Sequence, residues 1–282
     1  MIAHGGKDGW YSVSTTIATN PTPSEFKIQF NHTSVGDIGF QTAADIAAHG
    51  IAAENLFVPL SGGVDSEFVA TVLYRNRIPF TPVIVQLPGL TEHYYALNWC
   101  CEHNISPMVL QLQKDSAEVV HTVYKLLKMW PNLQSIQGIV TAYVLQAIED
   151  LGGVAVVGDP DLTPKQYNNY TYDFDFPLGD ILDTDLTGHV ALFLSDSSIP
   201  FLWRTPELVL ATAKQLPTNV NFDVARAKLY QVPYRPKQQQ LIRDFMSDNL
   251  LAKVTNIFKL PKYSVVPKIE WTRNQLIELL TK

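Results

Sequence analysis

Hydrophobic and polar positions divide the chain into three stretches with different rhythms. In the first 50 residues, Tyr11, Val13, Thr15 and Ile17 alternate with their neighbours, and so do Phe26, Ile28 and Phe30. A period of two predicts half-buried strands, and Asn20-Pro21-Thr22-Pro23 between them reads as a turn. A small β-ribbon is therefore expected. Thr42 to Ala53 (TAADIAAHGIAA) predicts a short helix that Gly50 would weaken.

The second stretch changes to short apolar runs separated by longer helical patterns. Strands are expected at Asn55–Leu60, Thr81–Leu87, Met108–Leu112 and Val154–Val157. Helices are expected at Ser66–Arg75, at Glu92–His103 with Tyr95, Leu97 and Trp99 facing inward, at Ser116–Trp130 before Pro131, and at Ser135–Leu151 before Gly152-Gly153. Strands alternating with helices at this spacing predict right-handed crossovers and a parallel sheet. Residues 165 to 187, rich in Tyr, Asn and Asp, read as a loop or hairpin.

The last third is mostly helical in pattern. Thr205-Pro206-Glu207 supplies a cap, a proline at the first position and an acid in the first turn, opening a helix that runs to about Leu216. Asp223–Tyr230 is a short helix, Val232–Lys237 a proline-punctuated loop and Gln238–Ser247 a helix. Thr272 with Gln275 forms a capping box for the final one. Three units follow: residues 1–53 (ribbon and helix), 54–200 (the α/β part) and 201–282 (helical, completing the site).

Composition changes this picture little. The 282 residues are 46% hydrophobic and 17% charged, as in a folded globular protein. No apolar run is long enough to span a membrane, and the first ten residues do not read as a signal peptide, so a cytoplasmic protein is expected. The adjacent Cys100 and Cys101 fit neither a disulfide framework nor a zinc site, and read as small core or boundary residues. The seven histidines show no metal-binding spacing.

Charge is more informative. The net charge is −6, but residues 226 to 282 hold 11 of the 21 Lys and Arg against four acids (Asp244, Asp248, Glu270, Glu278). That segment is near +7 and the first 225 residues near −13. The asymmetry predicts that the C-terminal part meets an anion, either nucleotide phosphates or nucleic acid.

The candidate chemistry lies where the first α/β strand meets its helix. Leu56, Phe57, Val58 and Leu60 form a buried run, and Ser61-Gly62-Gly63-Val64-Asp65-Ser66 follows as a tight polar turn opening a helix. A helix N-terminus offers unpaired N–H groups and partial positive charge. Gly62 and Gly63 permit unusual backbone angles and close approach, so successive N–H groups could form an anion nest. Ser61 and Ser66 add hydroxyls. Asp65 would share a Mg2+ ion with phosphates and could also cap the helix, two compatible roles. The Lys of a Walker-type loop is missing. The fourth strand ends in Gly158-Asp159-Pro160-Asp161, which a parallel sheet brings to the same edge, so Asp65 and Asp161 or Asp159 could converge on one metal.

The strand–SGGVDS–helix arrangement resembles the PP-loop of the ATP pyrophosphatase superfamily, the adenine nucleotide alpha hydrolase-like enzymes. With GDPD, Pro200-Phe201-Leu202 and the later basic run, the chain looks most like the synthetase domain of asparagine synthetase-like proteins. The resemblance spans about residues 54 to 245. It implies a parallel-sheet, Rossmann-like three-layer α/β domain of the HUP/PP-loop type, here with an N-terminal β-ribbon and a helical C-terminal part. It further implies ATP and Mg2+, with Gln86 and Leu87 beside adenine and Gly158 near the phosphates. Lys237, with Arg235 or Arg243, would offset charge on the leaving group. In the family the motif after strand four is one residue longer than GDPD, and its glutaminase domain would need more than the 60 residues before Ser61 and a Cys where Ile2 stands.

The activity implied is adenylation of a small-molecule carboxylate, with ATP cleaved to AMP and pyrophosphate, followed by transfer to ammonia, another amine, or nitrogen from a separate glutaminase subunit. Two rivals are an RNA-modifying PP-loop enzyme of the lysidine or thiolation type, favoured by the basic tail, and a non-catalytic adenine-nucleotide sensor.

Overall fold

The computed structural model describes residues 2–5, 9–16, 25–30, 34–87, 89–117, 119–121, 136–158, 163–167, 171–175, 197–217, 221–236, 247, 270–271, 277–278 and 280–281. The N-terminal ribbon has three antiparallel strands, β1 (Ile2–Gly5), β2 (Tyr11–Thr16) and β3 (Glu25–Phe30), with β2 in the middle. The alternating pattern predicts β2 and β3. β1 has no such pattern and was not expected. Helix α1 (Phe40–His49) stops where Gly50 was expected to weaken it.

Five parallel strands form the central sheet: β4 (Leu56–Pro59), β5 (Thr81–Gln86), β6 (Met108–Gln111), β7 (Val154–Val157) and, after an antiparallel hairpin of β8 (Thr163–Tyr167) and β9 (Thr171–Asp175), β10 (Ser198–Pro200). The order across the sheet is β10-β7-β4-β5-β6. This is a Rossmann-like arrangement, and its topological switch falls between β4 and β7. Four of the five strands were legible. β10 was not, because three residues carry too short a pattern. A two-residue strand, β11 (Glu270–Trp271), extends the hairpin.

Alternate strand residues feed two cores, as the pleat requires. Val58, Ile84 and Val156 join a large core with Phe40, Phe68, Trp99, Phe201 and Trp203. Val83, Ala155 and Val157 face the other way, onto Val144, Leu145 and Ile148. The helices α2 (Val64–Arg75) and α3 (His93–Glu102) contribute to the first core, and α4 (Ile136–Asp150) covers the second. The domain is thus three-layered.

The predicted inward face of α3 needs correction. Trp99 and Ala96 are buried and Leu97 packs against the core, but Tyr95 is 37% exposed. Its neighbour beyond the helix is a cation, described below. A 3-10 turn (Phe201–Trp203) leads from β10 into α5 (Pro206–Gln215), where Thr205 accepts from the Leu208 N–H as a cap, as its sequence predicts. Helix α6 (Phe222–Tyr230) is capped by Asn221, and Gln231 closes it with a left-handed backbone. The helix predicted at Gln238–Ser247 lies outside the described residues, save Ser247.

Candidate phosphate-loop site

The turn of residues 61 to 63 leaves the C-terminal end of β4 and opens α2, at the switch point of the sheet. Gly62 has φ of +87°, where a side chain is strained. A Cβ there would also fall 2.3 Å from the Glu92 carbonyl oxygen, at the entrance to α3. Two constraints therefore demand glycine. The second one shows that α3 closes one side of the loop.

The two serines tie the turn together. Ser66 Oγ donates to the Gly63 carbonyl (3.1 Å) and accepts from the Ser61 N–H (3.2 Å). With its proton so committed, it accepts from the Ser61 hydroxyl at 3.0 Å. Ser61 Oγ in turn accepts from the Gly63 N–H at 3.2 Å. The bend is therefore held in shape by bonds within the turn itself. A phosphate would take the Gly63 N–H by displacing a hydroxyl that is itself a good phosphate donor. Gly63 is the N-cap of α2, so no side chain caps the helix, and its first turn keeps the anion-attracting character of a helix start.

Gly158, just past β7, meets this turn from the neighbouring strand. A Cβ on it would lie 2.7 Å from the carbonyl carbon of Asp65 and 2.8 Å from its Cβ. The predicted convergence of β4 and β7 on one point is thus present in the backbone. Its immediate effect is packing: glycine lets the first turn of α2 sit against the end of β7.

Two acids of that first turn are buried, Asp65 and Glu67. Each has an arginine from beyond residue 220. Both carboxylate oxygens of Asp65 accept from Arg226 Nη1, at 2.9 and 2.8 Å, and the Arg226 side chain is only 4% exposed. Arg226 Nη2 donates to Asp223, one turn earlier on α6. Arg235 Nη1 pairs with Glu67, and its guanidinium lies over the Tyr95 ring, 4.7 Å from the centroid. Burial raises the Glu67 carboxyl above the usual carboxylate range, and Arg235 offsets this only in part.

Of the sequence-predicted site residues, Ser61, Gly62, Gly63, Asp65, Ser66 and Gly158 gather at this edge. Arg235 reaches it too, through Glu67 rather than through the loop backbone. Gln86 closes β5, where its carbonyl accepts from the Leu112 N–H and its side chain from Gln111. The Leu87 carbonyl accepts from the Leu90 N–H. Asp159, Asp161, Lys237 and Arg243 lie outside the described residues. Sequence reasoning missed Glu67, Asp223 and Arg226. Asp223 and Arg226 have a legible i, i+3 spacing, but nothing in the sequence says which buried acid the arginine meets.

Among the described residues, no cluster of three or more His, Cys, Asp or Glu forms a metal cage. Magnesium at a phosphate site needs only one or two carboxylates beside phosphate oxygens and water. Asp65 fits that requirement by position and chemistry, in competition with Arg226. A cavity of about 570 Å³ lined by Tyr74, Arg77, Ile78, Phe80 and Ile105 lies at the opposite edge of the sheet, away from the loop. Among the described residues, no helix is long and apolar enough to cross a membrane.

Fold and site together define a Rossmann-like α/β protein with a glycine-serine turn at its switch point. No family model matches the chain, and no curated protein matches it. Among solved structures, it is similar to NMN synthetase from Francisella tularensis, with 14% identity over 81% of this chain and 99% of the other, and a TM-score of 0.33. A likeness this loose transfers no residue's role.

Proposed function

We propose that this chain is an ATP-dependent, AMP-forming ligase of the PP-loop kind, which adenylates a carboxylate and transfers the acyl group to ammonia or another amine. The observation that carries the reading is the SGGVDS turn, bent at Gly62 and opening α2 at the switch point between β4 and β7. In open parallel sheets ligands sit in this crevice, and a helix start there favours phosphate.

In this reading a substrate carboxylate oxygen bonds to the α-phosphorus of ATP, and the bond from that phosphorus to the β-bridging oxygen breaks. Pyrophosphate leaves. The amine then attacks the acyl carbon, loses a proton and expels AMP. The protein's part is positioning and charge neutralisation. Gly62, Gly63 and the Ser61 and Ser66 hydroxyls would hold the pyrophosphate portion, and Gly158, lacking a side chain, would let the first turn of α2 sit close against the strand ends. Asp65, with Asp161 or Asp159, would hold Mg2+, which when bound neutralises phosphate charge. Lys237 and Arg243 are assigned to the leaving group. Arg235 would orient that loop from its seat on Glu67 and Tyr95.

The test is pyrophosphate release from ATP and Mg2+ with a panel of carboxylic acids and ammonia. Asp65→Asn should lower the rate by about a hundredfold or more, as losses of charge-stabilising groups do. Equal release by wild type and variant would remove the site assignment. The basic excess after residue 225 supports a second reading, in which RNA is the acceptor. Binding of tRNA that weakens steeply with salt would favour it.

A further inference from the structure

Asp65 is a buried carboxylate, and a buried carboxylate needs a counter-charge. Arg226 supplies it with one nitrogen, Nη1, which contacts both oxygens. Its other terminal nitrogen, Nη2, holds Asp223. The two contacts are made by different nitrogens of one guanidinium, one toward α2 and one toward its own helix.

We propose that Arg226 is a placeholder for a divalent cation. It holds the Asp65 carboxylate and yields it to the metal that arrives with the phosphates, pivoting on Asp223. The inference rests on the phosphate reading of the loop. Arg226 and a divalent cation compete because both need the same two oxygens, and two cations sharing them would repel at short range in a poorly solvated site. The carboxylate has little freedom to go elsewhere. The Asp65 backbone is wedged against Gly158, where even one added carbon would not fit. Of the two partners, the long arginine side chain is the one able to give way.

Metal binding without nucleotide should therefore be weak in the wild type and strengthened by removing the competitor. The probe is Mn2+ alone, titrated against full-length protein by electron paramagnetic resonance, with melting temperature as a second readout. Arg226→Met should bind Mn2+ at least about tenfold more tightly than wild type, the factor expected when an adjacent opposite charge is removed from a shared carboxylate. Mn2+ should also raise the melting temperature of Arg226→Met and leave that of wild type unchanged. The gain should vanish in Asp65→Asn/Arg226→Met. Equal affinities, or a gain that persists without Asp65, would overturn the proposal. If Arg226→Met does not fold, Arg226→Lys decides. Its shorter, single-point ammonium cannot span Asp65 and Asp223 together, so its Mn2+ affinity should rise above wild type, and an unchanged affinity refutes the exchange. Nucleotide binding by wild type is measured separately. Its absence would sink the ligase reading, whereas its presence with no Mn2+ gain in the variants would sink the exchange alone.

Discussion

At the scale of single residues, Gly62 carries two penalties that any substitution would incur together. Gly62→Ala would be strained by the positive φ and would press on the Glu92 carbonyl. It should destabilise the protein by about 2–4 kcal/mol, combining backbone strain with overpacking, as read from urea midpoints. Gly63→Ala meets only Ser61 Oγ, at 3.3 Å, and should cost markedly less. The cysteines also separate at this scale. Cys100 is buried, and burial pushes its thiol up to about 11, while Cys101 is exposed. A thiol reagent at neutral pH should modify one thiol per native chain and two after unfolding, because the thiolate is the reactive form. The sequence made Gly62 suspect as part of a turn. It was silent on Glu92, because contact between residues 30 positions apart leaves no trace in a local pattern.

At the scale of elements, the first turn of α2 is tied to the last third of the chain through Glu67 and Arg235. Glu67 is buried and its pKa is raised. An acid whose pKa is higher in the folded than in the unfolded state holds a proton that unfolding releases. Stability therefore falls as pH rises from the ordinary carboxylate value through the raised one, and levels off above it. Glu67→Gln should lack this decline, so the difference in unfolding free energy between wild type and Glu67→Gln should shift in favour of the variant as pH climbs through that window. A pH series of urea unfolding curves measures it, and a difference independent of pH would contradict the assignment. The elements themselves were largely legible, since α5, α6, β7 and the Thr205 cap follow from pattern and capping chemistry. The outward face of Tyr95 was not. Its hydrophobicity suggested the core, whereas its ring serves Arg235, a partner 140 positions later.

At the scale of the whole molecule, one core runs from Trp10 and Tyr11 through the sheet to Leu280. Trp203 is its largest fully buried side chain. Its ring stacks near Trp10, at 6.4 Å between centroids, and its carbonyl accepts from the Trp10 indole at 3.0 Å. Trp203→Ala should cost about 3–5 kcal/mol, measured by denaturant titration, because a large void opens where distant segments meet. Trp203→Phe should cost clearly less. The parallel sheet was legible because strand and helix periods alternate along the chain, whereas this convergence was not, because it joins segments nearly 200 residues apart. The Val35 N–H donates to the Leu280 carbonyl at 3.1 Å, so the segment entering α1 is bound to one far later in sequence. On the ribosome, a nascent chain that has exposed residues 35 to 75 but not yet residue 280 would lack the partner that seals this core. Until residue 280 has joined it, apolar surface from the early segments of this core stays open to chaperones and to misassociation.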